Sequence, residues 1–519
     1  SYSESTRAFS ERWEEAFKAG RASPWGNDLF NEEFFRTRDD SFHLMKINAD
    51  GTGLVQLTDG AEDDHSPCEL PNGRIAFVST RRGGEGRCHP RPCPSYVLHT
   101  MLPDGSDIQP LSYHELNEWT PRVNNDGDIV YSRWDYVDRK FSDGQHPWIM
   151  KPDGRMVRAL YGNYENEFSR GKVQEDLRQV PDSPLYVGVI HSHHCSAYGG
   201  LVIYDSTRPD DPEQSCISVL TPEIHANGPS RYASPYPLSE KYFLCVWSPD
   251  SHALTLNTWK WYRPATPHGV YLIDAFGNKT LLYRDPEIAA MAPLPLKPRE
   301  KPPIVPHATA KAAPPGEDPL PTDEEFATFA LMDVYDSVEP WPEDRKLKTL
   351  RIVQVFPKST PKKGIPPIAY NREANARGVI GTVPIEKDGS AHFTIPAGVP
   401  VYFQALDENG IAVQSMRSSA YGMPGETESC QGCHEPRRQA PITPAQMPLA
   451  MQREASVPEP GPKGSWPMSF PRLVQPVLDA KCVDCHQKKA DEGAPPLTGE
   501  RGGLWNCRSK AYKSLGPFA

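Results

Sequence analysis

The 519-residue chain contains no run of the ~18 consecutive apolar residues that a membrane helix needs, so no membrane span is expected. No long basic stretch occurs either, and 56 Lys and Arg stand against 67 Asp and Glu for a net charge of -11. A phosphate-backbone partner is therefore disfavoured, and no nucleic acid is expected. The start, Ser1-Tyr2-Ser3-Glu4, lacks a basic region followed by an apolar one, which leads us to expect an export signal already removed. Long uninterrupted helical segments are scarce too: 56 prolines and 38 glycines exceed the ~12% these two residues usually supply. Helical bundles are excluded in favour of turns and short strands. Hydrophobic residues at 38% and aromatics at 10% exclude wholesale disorder.

Eleven cysteines are present, and four of them fall in Cys430-Gln431-Gly432-Cys433-His434 and Cys482-Val483-Asp484-Cys485-His486. Both are C-x-x-C-H. Two thiols three positions apart can each add to a vinyl group of one haem, and the adjacent histidine then lies beneath the iron as proximal ligand. The expectation is two covalently bound haem c, on Cys430/Cys433 with His434 and on Cys482/Cys485 with His486. A zinc site made of the two pairs is the competing reading, but paired zinc motifs usually lie ~15–20 residues apart, and zinc needs no histidine directly after both. Covalent haem attachment takes place outside the cytoplasm, so a periplasmic or otherwise extracytoplasmic location is expected. Cys88 and Cys93 close a short Pro-rich loop and read as a disulfide; Cys195 and Cys216 could form another, while Cys68 and Cys245 lie in expected strands.

Along the chain, Phe9, Trp13 and Phe17 place an amphipathic helix at 5–19. From about 40 to 290 a repeat can be counted. Asp50-Gly51, Leu54, Leu57, Pro67, Gly73, Ile75 and Phe77 recur 54 residues later as Asp104-Gly105, Ile108, Leu111, Pro121, Gly127, Ile129 and Tyr131. A looser third copy begins at Pro152-Asp153-Gly154. Hairpin turns between apolar alternations at this period predict propeller blades, five to seven of them. The stretches 50–58 and 71–79 resemble the propeller repeats of the periplasmic Tol system. Ten prolines between 291 and 321 mark a linker or a strap over a surface. Alternating segments at 326–334, 350–356, 378–384, 391–395 and 399–405 then read as a small β-sandwich. Residues 470–480 form a helix running into the second motif, in the manner of a class I cytochrome c domain.

The expected organisation is mainly β: 1–39 lead-in, 40–290 β-propeller, 291–325 linker, 326–440 β-rich middle domain with the first haem, and 441–519 a small α-helical cytochrome c-like domain. Residues 326–438, especially Gly381-Thr382-Val383-Pro384, Asp388-Gly389-Ser390-Ala391, Pro424-Gly425-Glu426 and the first haem motif, resemble the middle domain of the hydrazine synthase alpha subunit. The order of the three domains matches that family as well. In that family the first haem iron takes a tyrosine four residues after the motif histidine, and the histidine turns to zinc. Here that position is Arg438, so His434 is read as an ordinary haem ligand.

Met416, Tyr421 and Met423 precede the first motif and are candidates for its sixth position. No His or Met follows His486, so a sixth ligand for the second iron would come from Met447, Met451 or Met468, or that site is open, or the chain continues beyond the 33 residues after His486. His191 and His193 share one strand face and could bind a metal, against a polar loop at a blade edge. Asp63-Asp64-His65 could be a metal-binding turn, but its place in the blade repeat favours a loop with local hydrogen bonds. The functional expectation is electron transfer, with a redox partner protein or other subunits docking on the propeller. A haem oxidoreductase with one open iron, acting on a small nitrogen compound or peroxide, is the alternative, and a propeller-based assembly subunit is the third.

Overall fold

The structure, a computed structural model, describes residues 41–88, 93–137, 144–161, 173–191, 198–208, 216–221, 230–252, 267–309, 311–317, 325–337, 340–360, 365–368, 374–433, 446–461, 469–500 and 509–515. The expected helix at 5–19 lies outside them. The fold is mainly β, with a few short helices near the C-terminus.

A hairpin of β1 (Met45–Lys46) and β2 (Val55–Gln56) leads into antiparallel four-stranded units. The first is β3 (Asp64–Glu69), β4 (Ile75–Ser79), β5 (Val97–Met101) and β6 (Gln109–Pro110); the second is β7 (Asn117–Val123), β8 (Ile129–Trp134), β9 (Gln145–Met150) and β10 (Arg158–Ala159). The third is β11 (Val173–Gln179), β12 (Leu185–His191), β13 (Gly200–Asp205) and β14 (Ile217–Val219), joined to the second by one parallel pairing, Val173 with Gln145. The fourth is β15 (Ser230–Pro237), β16 (Tyr242–His252), β17 (Gly269–Asp274) and β18 (Lys279–Tyr283). The leading strands β3, β7, β11 and β15 contact one another in succession, the arrangement of propeller blades. Among the described residues there are four such units and a hairpin, where five to seven blades were expected.

The 54-residue register is realised: β4 and β8 are its apolar strands, with Phe77 and Tyr131 both buried. Each leading strand carries a β-bulge built on a non-glycine residue in the left-handed region: Ser66, Thr120, Asp176 and Ser234, with φ of 53, 49, 51 and 49°. Such a residue costs about 1–2 kcal/mol, so the same kink in every unit is a built feature. Three of the four are followed by proline (Pro67, Pro121, Pro235), which a strand tolerates at a bulge because no ladder N–H is needed there.

The Pro-rich segment is a strap. From the last unit it runs back across the earlier ones: Arg299 Nη1 donates to Tyr236 Oη, Ala308 N–H to Asp153 Oδ2, and Ala312 N–H to Gln109 Oε1. The fully buried Arg74 donates from Nη1 to Ala313 O. At Gly127, φ is 83° and an added Cβ would stand 2.3 Å from Pro303 O, so glycine lets the strap seat there.

The sandwich follows. One sheet orders β22 (Ala391–Pro396), β19 (Phe326–Leu331) and β25 (Thr427–Cys430); the other orders β21 (Arg377–Pro384), β20 (Leu347–Val355), β23 (Val401–Asp407) and β24 (Ala412–Ser415). Alternation puts Phe329, Leu331, Leu350, Ile352, Phe393 and Ile395 into one core. Phe329 and Phe393 stack at 5.9 Å, and Phe403 meets both edge-on at 5.5 and 5.4 Å. The sandwich seats on the first two units. Arg133, fully buried, donates from Nη2 to Ser419 O (2.8 Å), pairs with Asp135, and lies 4.0 Å over the Trp148 ring. Ser419 Oγ donates to Glu115, and Arg87 Nε donates to Asn375 Oδ1.

Candidate functional site

The first C-x-x-C leaves the sandwich at the end of β25, which runs parallel to β19 with Cys430 opposite Leu331. Met332 N–H donates to Cys430 O at 2.9 Å and Asp333 N–H to Gln431 O at 3.1 Å, so the ladder continues into the motif. Gly432 lies against Asp336 O, where a Cβ would come within 2.1 Å. Cys430 and Cys433 are both partly buried against the sandwich core. His434 and Arg438 lie outside the described residues.

Just upstream, both oxygens of Glu426 are held by backbone donors, Met156 N–H at 2.9 Å and Met423 N–H at 2.7 Å. Glu428, two residues from Cys430, has its pKa pushed up to about 8, first by burial and then by the neighbouring Glu426 charge. A carboxyl that exchanges its proton near neutral pH thus stands on the strand entering the motif.

The candidate sixth ligands are placed elsewhere. Gly425 N–H bonds Phe326 O, at the opposite end of β19 from Leu331 and Cys430. Tyr421 and Met423 precede that point and are buried against the propeller: Tyr421 Oη reaches Leu111 O at 3.5 Å and its ring meets Tyr113 at 5.6 Å. Burial drives the Tyr421 phenol far above its ordinary range. A Cβ on Gly154 would stand 2.9 Å from Met423 Cε. Met416 packs on Val353, Val355 and Tyr402. On β22, His392 is paired with Ala330, in the row that alternates with the core-facing Leu331, and its Nδ1 lies 3.3 Å from Arg453 O.

The second motif sits on consecutive helical turns, Phe470–Leu473, Gln475–Lys481 and Val483–Lys488. Prolines at the starts of the first two suit positions that need no N–H. His486 N–H donates to Cys482 O, and the His486 ring Nδ1 lies 2.9 Å from Pro495 O. A carbonyl only accepts, so Nδ1 carries the proton and Nε2 keeps its lone pair for a metal. Cys482 and Cys485 line an open cleft with Asp479, Asp484, Lys481, Lys488 and Lys489. None of the buried apolar clusters among the described residues extends past Cys433. Val474 and Val477 are exposed, and Gln475, Leu497, Ser509 and Ala511 are the buried residues of this segment.

Among the described residues no three His, Cys, Asp or Glu side chains form a group that could hold a metal ion. His191 is buried with Nε2 3.6 Å from Glu175 Oε2, and His193 lies outside the described residues. Asp63 accepts from Phe42 N–H and Tyr96 Oη, and Asp64 from Arg81, partners 17 to 33 positions away rather than local ones, and Asp64 and His65 belong to β3. The base of the Cys88–Cys93 loop is closed by Gly86 N–H donating to Cys93 O at 2.7 Å. Cys195, the expected mate of Cys216, is outside the described residues.

Against known proteins, the family described as hydrazine synthase alpha subunit middle domain matches residues 346–435, from β20 through the first haem motif. Hydrazine synthase subunit alpha of Kuenenia stuttgartiensis is 24% identical over 374 residues, 63% of this chain and 42% of that protein. The chain thus spans less than half the length of this curated relative. The solved Kuenenia stuttgartiensis hydrazine synthase superposes with a TM-score of 0.72 over 91% of this chain and 75% of that one, at 20% identity. TolB of Acinetobacter baumannii covers 47% of this chain and 49% of its own at a TM-score of 0.29 and 14% identity, too low to argue from. The chain is hydrazine synthase alpha-like in fold and in its middle-domain sequence.

Proposed function

We propose that this chain is an exported dihaem c-type cytochrome, related to the hydrazine synthase alpha subunit, that passes electrons within a redox complex. The observation that carries the reading is the second motif: a histidine fixed through Nδ1 by a carbonyl, with two thiols beside it on the same helical turns. Bound haem supplies one-electron chemistry at its iron. The chain's own part is to hold each haem by two thioethers, Cys430/Cys433 and Cys482/Cys485, to present His434 and His486 to the irons, and to bury the rings. A redox partner or other subunits would dock on the propeller. Mass spectrometry of the denatured, exported chain is expected to show two added haem masses on the two peptides; an unmodified chain overturns the reading.

A second reading has one specific observation in its favour. Tyr421 and Met423 are committed to the propeller contact, which leaves the first iron without a sixth ligand from the segment just upstream. On this reading the first haem is the site of small-molecule chemistry, and its reduced iron binds carbon monoxide with a Soret shift. No carbon monoxide response at either iron leaves electron transfer alone.

A further inference from the structure

The bulges of the four leading strands bring one set of side chains into register. After each register shift the first paired residues are Cys68 with Ala76, Arg122 with Val130, Arg178 with Val187 and Tyr236 with Leu244. Each lies two positions past a left-handed residue. A bulge re-aims the side chains that follow it, so Cys68, Arg122, Arg178 and Tyr236 are equivalent positions on successive innermost strands. Adjacent bulges are also tied together: Asp176 N–H donates to Thr120 Oγ1 at 3.1 Å.

These side chains meet. Arg122 Nη2 lies 2.8 Å from Asp176 Oδ1 and Arg178 Nε 3.6 Å from the same oxygen. The Arg178 guanidinium stands 5.4 Å from the Tyr236 ring centroid, and Arg299 of the strap donates to Tyr236 Oη at 3.2 Å. Arg122, Arg178 and Arg299 all act on the Cys68 sulfur, and loss of hydration outweighs their pull, which keeps the thiol neutral. Two guanidiniums therefore share a single carboxylate, and a third, that of Arg299, stands beside them at Tyr236. The Nε donors of Arg122 and Arg178 are buried and have no hydrogen-bond acceptor. Buried charged donors left over in this way call for an anion, and the planar guanidinium fork suits two oxygens on one atom.

We propose that this ring of Arg122, Arg178 and Arg299, beside Cys68 and Tyr236, binds a small oxyanion: a carboxylate or an inorganic oxyanion of similar size. The site belongs to the propeller and does not depend on either haem motif.

The test uses the full purified chain in a low-chloride buffer, titrated calorimetrically with inorganic phosphate and, in a second arm, with succinate. In parallel, iodoacetamide labelling of the Cys68 peptide is followed by mass spectrometry with and without each anion. Saturable heat and slower Cys68 labelling with phosphate assign an inorganic oxyanion, and with succinate a carboxylate. Arg178→Gln is expected to weaken binding by about tenfold or more, Arg122→Lys to weaken it while keeping the charge, and Arg208→Gln, at an exposed pair with Asp205, to leave it unchanged. Neither heat nor protection in the unmutated chain at about 10 mM of both anions overturns the proposal. That result stands even if a variant fails to fold.

Discussion

At the scale of single residues, the two motifs rest on different supports. Gly432 is a spacer in the C-x-x-C pattern by sequence, but its backbone lies so close to Asp336 O that no side chain fits. Gly432→Ala is expected to lower haem occupancy at Cys430/Cys433 and leave Cys482/Cys485 loaded, read from the haem mass on each peptide. Glu428 makes a pH-dependent contribution. Its folded-state value of about 8 lies above the ordinary 4.5, so the folded chain holds the proton more tightly, and this stability is fully present below about pH 4.5 and lost as pH rises through 8. The melting temperature should fall over that window, and less steeply in Glu428→Gln. The two C-x-x-C-H motifs stand out in the sequence because haem attachment would fix their spacing. The candidate ligands Tyr421 and Met423 could not be judged that way, since their burial depends on residues some 270–310 positions away in the propeller.

At the scale of elements, the blades were legible because turn glycines and apolar strands repeat at one period, and Gly73 and Gly127 do hold φ of 88 and 83°. The bulges were half-written: Ser66-Pro67, Thr120-Pro121 and Ser234-Pro235 repeat, whereas the third copy reads Asp176-Leu177. The shared position two residues past the kink, and with it the arginine ring, needed the register. Five sandwich strands were readable from alternation, whereas β24 and β25 were not, being too short and polar to alternate. Within them the aromatic trio holds the two sheets together, and Phe393→Ala is expected to cost about 3–5 kcal/mol, measured as a lowered denaturant midpoint. On the strap, Gly127→Ala should place a methyl against Pro303 O and loosen the segment, seen as faster proteolysis within 297–315.

At the scale of the whole molecule, the sequence marked the Pro-rich segment as a joint but gave no sign of its direction. It turns back over earlier blades, and the sandwich seats on residues 84–156 through Arg133, Glu115, Arg87, Gly154 and Met156. Arg133→Ala would leave Asp135 buried without its partner. Breaking such a pair costs about 3–5 kcal/mol, and calorimetry should then show the propeller and sandwich melting apart. The return path of the strap has a consequence for how such a chain can change over generations. The seat is supplied by the first half of the propeller, so the third and fourth units, 173–283, can gain or lose length in their outer loops without moving the platform that carries the first haem motif. Ornament can accumulate there while the first C-x-x-C-H motif keeps its address.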